Sequence, residues 1–352
     1  MKLGIICTMI NGFGRRGFYN TQEIGLGREL ERQGHEVTIY KCVKKTDGEP
    51  IERVKLGNRL SILYIPVSSF GAHGYLDTAV LSADMEAVLC FADNQIFLPH
   101  IYRFCARHGI RMVPYIGRTH SSSGGVHGFA MNALFHLGTL RWFRRGPAIS
   151  KIEEVRQELL QLGVKEVKVA PVGLDFSVMK SDFAAYDRAA LRREFGLLPD
   201  DMVICTVGRM GPEKNPLDLV EIYQQVREQK PCKLLLVGEG VQSEDLKTKI
   251  AASKWKSDIV LIDRIPNDQI WKVYAAADYF VNLCRTEIFG MAILEAMYYG
   301  VSVAALVAPG PSVTLRDMPG HKLCSSYEEI RDWLLAEHPA QEQLRESAAR
   351  TV

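Results

Sequence analysis

Residues 279–299 read YFVNLCRTEIFGMAILEAMYY, in which an apolar run is followed by a polar loop, a glycine and a second apolar stretch. The run at 279–283 predicts a buried strand, and the stretch at 291–299 predicts a helix that begins just after Gly290. A strand that leads into a helix through a short loop is the repeating unit of a parallel α/β sheet.

The same pattern recurs along the chain and predicts an α/β protein. In the second half, strands are predicted at 203–207, 233–237, 259–262, 279–283 and 302–306, with helices at 217–228, 244–253, 268–276 and 291–299. In the first half, strands are predicted at 3–7, 37–40, 62–67, 88–91 and 111–116, with helices at 21–33 and 96–107. A chain of 352 residues is long enough for two such domains, and ligands of open α/β sheets bind at the carboxyl ends of the strands.

Composition excludes several classes of protein. The 43 Lys and Arg nearly balance the 41 Asp and Glu, which argues against a dedicated nucleic-acid binder. The 47% of hydrophobic residues indicates a globular chain. The eight cysteines contain no Cys-x-x-Cys pair, so we expect buried, reduced thiols and a cytoplasmic location. No segment reaches the ~20 apolar residues that span a bilayer, and the first apolar run is too short for a signal peptide.

Two carboxylates flank the predicted start of the helix at 291–299. Gly290 would let an anionic ligand approach the free N–H groups of that helix. If all the residues between them were helical, at ~1.5 Å per residue, Glu287 and Glu295 would be at most about 12 Å apart, which fits the span of a nucleoside diphosphate sugar. Equally, Glu287 could cap the helix while Glu295 is partly buried on its apolar face.

Residues 207–215, VGRMGPEKN, also lie between a predicted strand and a predicted helix. Arg209 and Lys214 could both bind a diphosphate and would stabilise a departing nucleoside diphosphate. The alternative is a solvated loop in which Glu213 and Lys214 pair locally.

Two weaker signals lie in the first half. Gly12, Gly14 and Gly17 have the Gly-x-Gly-x-x-Gly spacing, but the acidic residue of a dinucleotide site is absent after the second strand, so dinucleotide binding is disfavoured. His120 follows the strand at 111–116 and would face a cleft, although one histidine among nine is more often structural.

Metal-assisted and kinase-type chemistry lack their usual motifs. The chain has no Asp-x-Asp triplet, the carboxylate cluster that commonly holds a metal-bound diphosphate. It also has no Gly-x-x-x-x-Gly-Lys-Ser/Thr loop, which excludes a P-loop kinase. The absence of an Asp-x-Asp triplet, together with the presence of Arg209 and Lys214, favours a leaving group that is stabilised without a metal. We therefore expect no metal site.

Taken in order, these residues resemble the retaining glycosyltransferases of the GT-B fold, family 4, also called glycosyltransferase group 1. The motifs that carry the resemblance are Gly34-His35-Glu36-Val37-Thr38, residues 169–175, Gly208-Arg209 with Glu213-Lys214, residues 236–240, Ala277-Asp278, residues 287–297 and Gly300. The resemblance implies two Rossmann-like, doubly wound domains that face a central cleft. They would be an acceptor-side domain at 1–175 and a nucleotide-sugar domain at 176–335, followed at 336–352 by a helix that is cut short before it crosses back.

The resemblance also implies the roles of individual residues. Catalysis would involve His120, Glu287, Arg209 and Lys214. Donor binding would involve Gly14, Gly208, Arg209, Lys214, Ile262, Glu287, Ile288, Phe289, Gly290 and Glu295. The acceptor-side loop would consist of Gly12, Phe13, Gly14, Arg15 and Arg16.

The implied reaction moves a sugar from a UDP- or GDP-sugar, with UDP preferred, to a hydroxyl acceptor without metal or other cofactor. Its products would be glycans, glycolipids or glycosylated natural products. The alternatives are a nucleotide-sugar epimerase of the same architecture and a nucleotide-binding relative without catalysis. Residues 283–284 read Leu-Cys where the family has Pro-Ser, a departure that bears on the choice of donor.

Residues 121–140 contain no Lys, Arg, Asp or Glu, and residues 141–145 then read RWFRR. An apolar segment that ends in arginine and tryptophan suits a membrane interface and a lipid-linked acceptor. Residues 129–145 therefore predict peripheral contact with the inner face of a membrane. The alternative is a core helix that packs on the first sheet and ends in solvated arginines.

Overall fold

The computed structural model describes residues 1–10, 22–45, 50–121, 125–177, 179 and 187–336. It divides into two compact units, Met1–Asp175 and Phe176–Val352. Each unit is built around its own mainly parallel sheet. The predicted helix at 336–352 lies outside the described residues except for its first position.

Unit 1 contains ten strands and five α-helices among its described residues. The strands are β1 (Lys2–Cys7), β2 (Glu36–Lys44), β3 (Glu52–Lys55), β4 (Leu60–Val67), β5 (Ser69–Phe70), β6 (His73–Gly74), β7 (Ala87–Phe91), β8 (Arg111–Ile116), β9 (Ala148–Ser150) and β10 (Val167–Val169). The helices are α1 (Gln22–Arg32), α2 (Pro99–Arg107), α3 (Gly125–Leu134), α4 (Leu140–Phe143) and α5 (Glu153–Gln161), and a π-helical turn at Phe135–Thr139 joins α3 to α4.

The main sheet of unit 1 has the strand order β10-β9-β8-β7-β1-β2-β4-β3. All its pairings are parallel except that of β3, which runs antiparallel to β4 at the edge. Helix α1 packs on β1, β2 and β4 through Ile24 and Leu30. Gly27 permits this close approach, because an added Cβ would lie 2.9 Å from Leu60 Cδ1.

Unit 2 contains six strands and seven α-helices among its described residues. The strands are β11 (Val203–Val207), β12 (Lys233–Val237), β13 (Ile259–Ile262), β14 (Tyr279–Asn282), β15 (Ser302–Leu306) and β16 (Lys322–Cys324). The helices are α6 (Arg188–Glu194), α7 (Pro216–Arg227), α8 (Ser243–Ala252), α9 (Trp271–Ala276), α10 (Met291–Tyr298), α11 (Pro309–Thr314) and α12 (Tyr327–Leu335).

The sheet of unit 2 is fully parallel, in the order β13-β12-β11-β14-β15-β16. Successive residues of β12 pack alternately into two separate hydrophobic cores. Leu234 and Leu236 pack with Val220 of α7 on one face, whereas Leu235 packs with Ile293 of α10 on the other. Helices therefore cover both faces, which is the doubly wound arrangement that the sequence predicts.

Most predicted elements of unit 2 are confirmed, and four of its strands agree residue for residue with the prediction. The predicted helix at 268–276 is wrong in its first part, where a 3₁₀ turn at Asn267–Gln269 precedes the shorter α9. In unit 1, the helix predicted from residue 96 begins only at Pro99, because proline is favoured in the first turn and disfavoured within a helix.

The cysteines and the helices bear on two further expectations. All eight cysteines are buried and free of disulfides, as the sequence predicts. Within the part of the chain that the structure describes, no helix is both long and apolar enough to cross a bilayer.

Candidate active site

The candidate site lies where the strand order of unit 2 reverses. From β11 the chain proceeds outward to β12 and β13, and from the neighbouring β14 it proceeds the other way to β15 and β16. Ligands of open α/β sheets bind at such a switch point, outside the carboxyl ends of the strands. The loops that follow β11 and β14 are the two that carry the predicted motifs.

Lys214 and Glu287 bring these two loops together. The Nζ of Lys214 donates a hydrogen bond to Oε2 of Glu287 at 2.5 Å. Nδ2 of Asn282, the last residue of β14, donates to the same oxygen at 3.3 Å. Although burial lowers it, the pKa of Lys214 is raised above its ordinary value because Glu287 lies beside it. The switch point therefore carries a charged ammonium group against a carboxylate.

Asn215 fixes the loop that presents Lys214. Its φ is +50°, the left-handed conformation that asparagine tolerates better than most residues. Its side-chain Nδ2 donates to the carbonyl oxygen of Leu283 at 2.9 Å, which ties the loop after β11 to the loop after β14. Sequence reasoning overlooked Asn215 and Asn282, although a polar residue at the end of an apolar strand is the signal that could have found Asn282.

Arg209 lies in the same loop and is paired with Glu213. Its Nε and Nη2 donate to Oε1 of Glu213 at 3.0 and 2.6 Å. The alternative in which Glu213 pairs with Lys214 is therefore wrong. Glu213 follows Arg209 by four positions. In the 3₁₀ turn at Pro212–Lys214, the carboxylate of Glu213 binds Arg209, and Lys214 binds Glu287.

Backbone contact between glycines holds the start of the Arg209 loop. Gly238, after β12, has φ +137°, and a Cβ on it would overlap the carbonyl oxygen of Gly208. Met210 N also donates to the carbonyl oxygen of Glu239 at 3.0 Å. The loops after β11 and β12 thus pack backbone to backbone, which glycine alone permits at Gly238.

The loop after β14 leads into α10, whose N-terminus has no side-chain cap. Gly290 adopts φ +84° and precedes α10, and no side chain caps this helix. The alternative that Glu287 caps α10 is therefore wrong, because its carboxylate binds Lys214. Ile288 and Phe289 complete the loop, and Gly310 N donates to the carbonyl oxygen of Glu287 at 2.9 Å.

Glu295 lies inside α10 and is 8% exposed. Its Oε2 accepts a hydrogen bond from the hydroxyl group of Tyr274 at 2.7 Å. Burial and then the neighbouring Glu295 raise the pKa of Tyr274 well above its ordinary value, so the phenol remains a donor. Ile262, the last residue of β13, lies partly exposed at the same carboxyl edge of the sheet.

Unit 1 contains the predicted catalytic residue His120. It is exposed and lies four residues beyond the end of β8. The carbonyl oxygen of Thr119 accepts from Asn94 Nδ2 at 3.1 Å, and Ser121 N donates to Asn132 Oδ1 at 2.7 Å. The predicted acceptor-side loop, including the donor-binding Gly14, lies outside the described residues. Its residues are Gly12, Phe13, Gly14, Arg15 and Arg16.

Sequence reasoning missed an ion pair at the carboxyl edge of the unit 1 sheet. Lys151, after β9, donates to Oδ2 of Asp93, after β7, at 2.8 Å. Its Nζ also lies 5.7 Å and 5.2 Å from the ring centroids of Phe91 and Tyr115. Gly117 N donates to the other oxygen of Asp93. Lys151 and Gly117 directly follow a strand, and Asp93 lies two residues beyond one, which is the signal that could have found them.

No cluster of three or more potential metal ligands from His, Cys, Asp and Glu occurs among the residues with described positions.

Comparison with solved structures confirms the fold. A sucrose-phosphate synthase from Thermosynechococcus elongatus superposes with a TM-score of 0.76 at 14% identity, over 99% of this chain and 94% of that chain. Both units are Rossmann-like, and the chain has the GT-B fold.

A sequence family matches the second unit of the chain. Residues 187–350 match the family described as glycosyl transferases group 1. This match agrees with the resemblance that the ordered motifs carry.

Two curated relatives match parts of the chain. A D-inositol 3-phosphate glycosyltransferase from Segniliparus rotundus is 31% identical over 47% of this chain and 37% of its own length. An alpha-monoglucosyldiacylglycerol synthase from Streptococcus pneumoniae is 23% identical over 80% of this chain and 66% of its own length. The matched stretches thus span less than two thirds of either relative.

Proposed function

We propose that this chain is a retaining glycosyltransferase that moves a sugar from a UDP- or GDP-sugar to a hydroxyl acceptor. The observation that carries the proposal is the contact between Lys214 and Glu287 at the switch point of the unit 2 sheet. In the proposal, Lys214 is the cation that binds the diphosphate and Glu287 the carboxylate that binds the sugar, next to the uncapped N-terminus of α10.

In this proposal, the donor replaces the internal partners of the two cations. Lys214 and Arg209 turn from Glu287 and Glu213 to the diphosphate, which offers two negative charges where each cation now has one carboxylate. Both described donors to Glu287 bind its Oε2, so Oε1 is oriented to accept a hydroxyl group of the donor sugar.

The rest of the donor would lie along α10. The backbone N–H groups of Phe289 and Gly290 would bind the phosphate and the sugar, with Gly208 and Ile262 beside the nucleotide. Glu295 would accept the ribose hydroxyl groups. Tyr274 would hold the carboxylate of Glu295 in one orientation, because it donates to Oε2.

The proposed chemical step is an attack on the face from which the diphosphate leaves. The acceptor oxygen forms a bond to the anomeric carbon while the bond from that carbon to the diphosphate oxygen breaks. The acceptor proton passes to the departing phosphate oxygen, and Arg209 and Lys214 stabilise the negative charge that develops there. His120 would lie beside the transferring carbon, and the step requires no metal ion.

The proposed acceptor is a glycan, a small molecule or a lipid-linked hydroxyl compound. The loop that contains Gly12, Phe13, Gly14, Arg15 and Arg16 would close over it. The name of the S. pneumoniae relative denotes a glycolipid product, and the apolar residues 129–145 favour a lipid-linked acceptor for this chain as well.

The first test is a panel of UDP- and GDP-sugars in thermal unfolding. A donor at 100 times its dissociation constant adds about 2.7 kcal/mol to the stability of the folded state, which is readily measured. The stabilising donor is then incubated with candidate acceptors, and the anomeric configuration of the product is determined by NMR. We expect transfer with the configuration of the donor retained.

The same experiment separates the alternatives. Conversion of the donor without any acceptor indicates an epimerase, and binding without conversion across all acceptors indicates a non-catalytic relative. An inverted product contradicts retention alone. No binding of any nucleotide sugar contradicts the whole proposal.

A further inference from the structure

One face of the segment from α3 to α4 is apolar and exposed to solvent. Val126, Phe129 and Leu137 are 87%, 77% and 79% exposed, and Leu134 is 50% exposed. The opposite side of the segment is buried in unit 1 through Met131, Phe135, Leu140 and Phe143. The segment is therefore a core helix on one side only, and its other side presents large apolar side chains to water.

Arginines surround the tryptophan at the end of this segment. The guanidinium carbons of Arg103, Arg141 and Arg145 lie 5.9, 5.9 and 4.3 Å from the ring centroid of Trp142. Arg103 comes from α2, so two separate elements supply the group. All three arginines are exposed, and none forms an ion pair with any carboxylate whose position is described. The face therefore ends in uncompensated positive charge.

A cavity of about 350 Å³ lies beside Trp142. Tyr102, Met112, Trp142 and Arg145 are among the residues that line it. The hydroxyl oxygen of Tyr102 and Nε1 of Trp142 are buried and have no hydrogen-bond partner among the described residues. A buried donor without a partner destabilises the folded protein. A ligand oxygen in this cavity would supply the missing hydrogen-bond acceptor.

We infer that the α3–α4 face, with Arg103 and the Trp142 cavity, is a docking surface for an anionic phospholipid bilayer. Val126, Phe129 and Leu137 enter the boundary between headgroups and acyl chains, as the apolar face of an interfacial helix does. The arginines bind lipid phosphates, and the cavity accepts one phosphate oxygen.

Charge favours a lipid over a second copy of this chain. Residues 125–147 contain three arginines and no Asp or Glu. A two-fold interface centred on this face would place arginines against arginines without a carboxylate to compensate them. An anionic bilayer supplies both the apolar layer and the negative charge.

This inference deepens the proposed function by naming the surface at which a lipid-linked acceptor would be reached. It is tested without any nucleotide sugar, so its failure and that of the proposed reaction are distinguishable. The experiment is flotation of the full chain with phosphatidylcholine vesicles, with and without phosphatidylglycerol. We expect binding to the anionic vesicles alone, and a loss of that binding at high salt.

Two double variants test the two halves of the surface. Arg103→Ala with Arg145→Ala, and Phe129→Ser with Leu137→Ser, should each weaken vesicle binding at least about tenfold. The matched controls in unit 2 are Lys254→Ala and Val241→Ser, which remove an exposed cation and an 84% exposed apolar side chain. Both controls should bind vesicles like the wild type. Circular dichroism checks that each variant folds.

A spectroscopic readout locates the contact. Anionic vesicles should shift the tryptophan emission to shorter wavelength, and Trp142→Phe should abolish that shift while the other three tryptophans remain.

Four outcomes would overturn the inference. They are no binding to anionic vesicles, equal binding to neutral vesicles, wild-type binding by both double variants, and displacement of bound vesicles by inorganic phosphate at constant ionic strength, which indicates a free-anion site. A dimer in sedimentation velocity that Phe129→Ser with Leu137→Ser dissociates would assign the face to a second copy instead.

Discussion

Both edges of the unit 2 sheet carry ion pairs, but the two edges are built differently. At the amino edge, the carboxylate of Asp278 binds Arg188, Arg192 and the backbone N–H of Val203. At the carboxyl edge, Lys214 pairs with Glu287 and Arg209 pairs with Glu213.

The number of partners distinguishes an ion pair that stabilises the fold from one at a candidate binding site. A carboxylate that is shared among several donors cannot be released without leaving buried charges unpaired. A cation with a single carboxylate at a partly exposed edge can exchange that partner for an anionic ligand at little cost. Ion pairs of similar length therefore serve stability at one edge and, we propose, donor binding at the other.

The largest effect is expected at the carboxyl edge. Lys214→Ala should lower turnover about 100- to 1000-fold, because it removes a cation that stabilises the departing diphosphate. Initial rates at saturating donor measure this. Lys254→Ala, which removes an exposed cation from a 2.7 Å ion pair, is the matched control. Wild-type turnover in Lys214→Ala would refute the assignment.

The next effect concerns stability at the amino edge. Arg192 is 3% exposed and donates to the carbonyl oxygen of Ala276 at 3.0 Å as well as to Asp278. Arg192→Ala should lower the free energy of unfolding by about 3–5 kcal/mol, measured by denaturant titration. Its neighbour Arg193 is 63% exposed, and Arg193→Ala should change stability by less than about 0.5 kcal/mol. Equal effects of the two would contradict the structural role of Arg192.

The amino edge should also respond to pH through His321, whose Nδ1 accepts a hydrogen bond from Val303 N at 3.1 Å. Burial lowers the pKa of His321 from 6.5 to about 4. Between these values the unfolded chain binds a proton that the folded protein does not, so stability falls as the pH drops from 6.5 towards 4. The loss should reach about 2–3 kcal/mol. Urea unfolding across this range should show the slope, and His321→Gln should flatten it; an unchanged slope in this variant would assign it to other groups.

The smallest effect is expected at Glu213, which competes with the proposed diphosphate for Arg209. Glu213→Gln should tighten donor binding about two- to fivefold, in keeping with the weak energy of exposed ion pairs. Calorimetry with the donor measures this, and Glu244→Gln, at a carboxylate that is 85% exposed, is the control. Weaker binding in Glu213→Gln would mean that Glu213 positions Arg209 rather than competing for it.

Strands β11 to β15 of unit 2 are predictable because each reads as a mainly apolar run. Short strands that lack such a run are not predictable. β3 is short and polar, and it forms only because β4 offers it an antiparallel partner. The three residues of β16 likewise depend on their pairing with β15.

The loops of the site were predictable from their order along the chain, but the pairing within them was not. Spacing indicated that Glu213 is near Lys214, whereas the turn directs Glu213 to Arg209. Tyr274 could not be found because its partner Glu295 is 21 positions away. Residues 125–143 show a further limit, since apolar residues on both sides of the segment leave no clear periodicity to indicate which side faces the core.

The contact between Gly208 and Gly238 has a mechanical consequence. Because their backbones touch, the start of the Arg209 loop cannot slide along the sheet without carrying the end of β12 with it. For the proposed donor site, adaptation to a bulkier sugar therefore has to come from side chains or from the loop after β14, and residue 238 has to remain glycine in any variant engineered for a new donor.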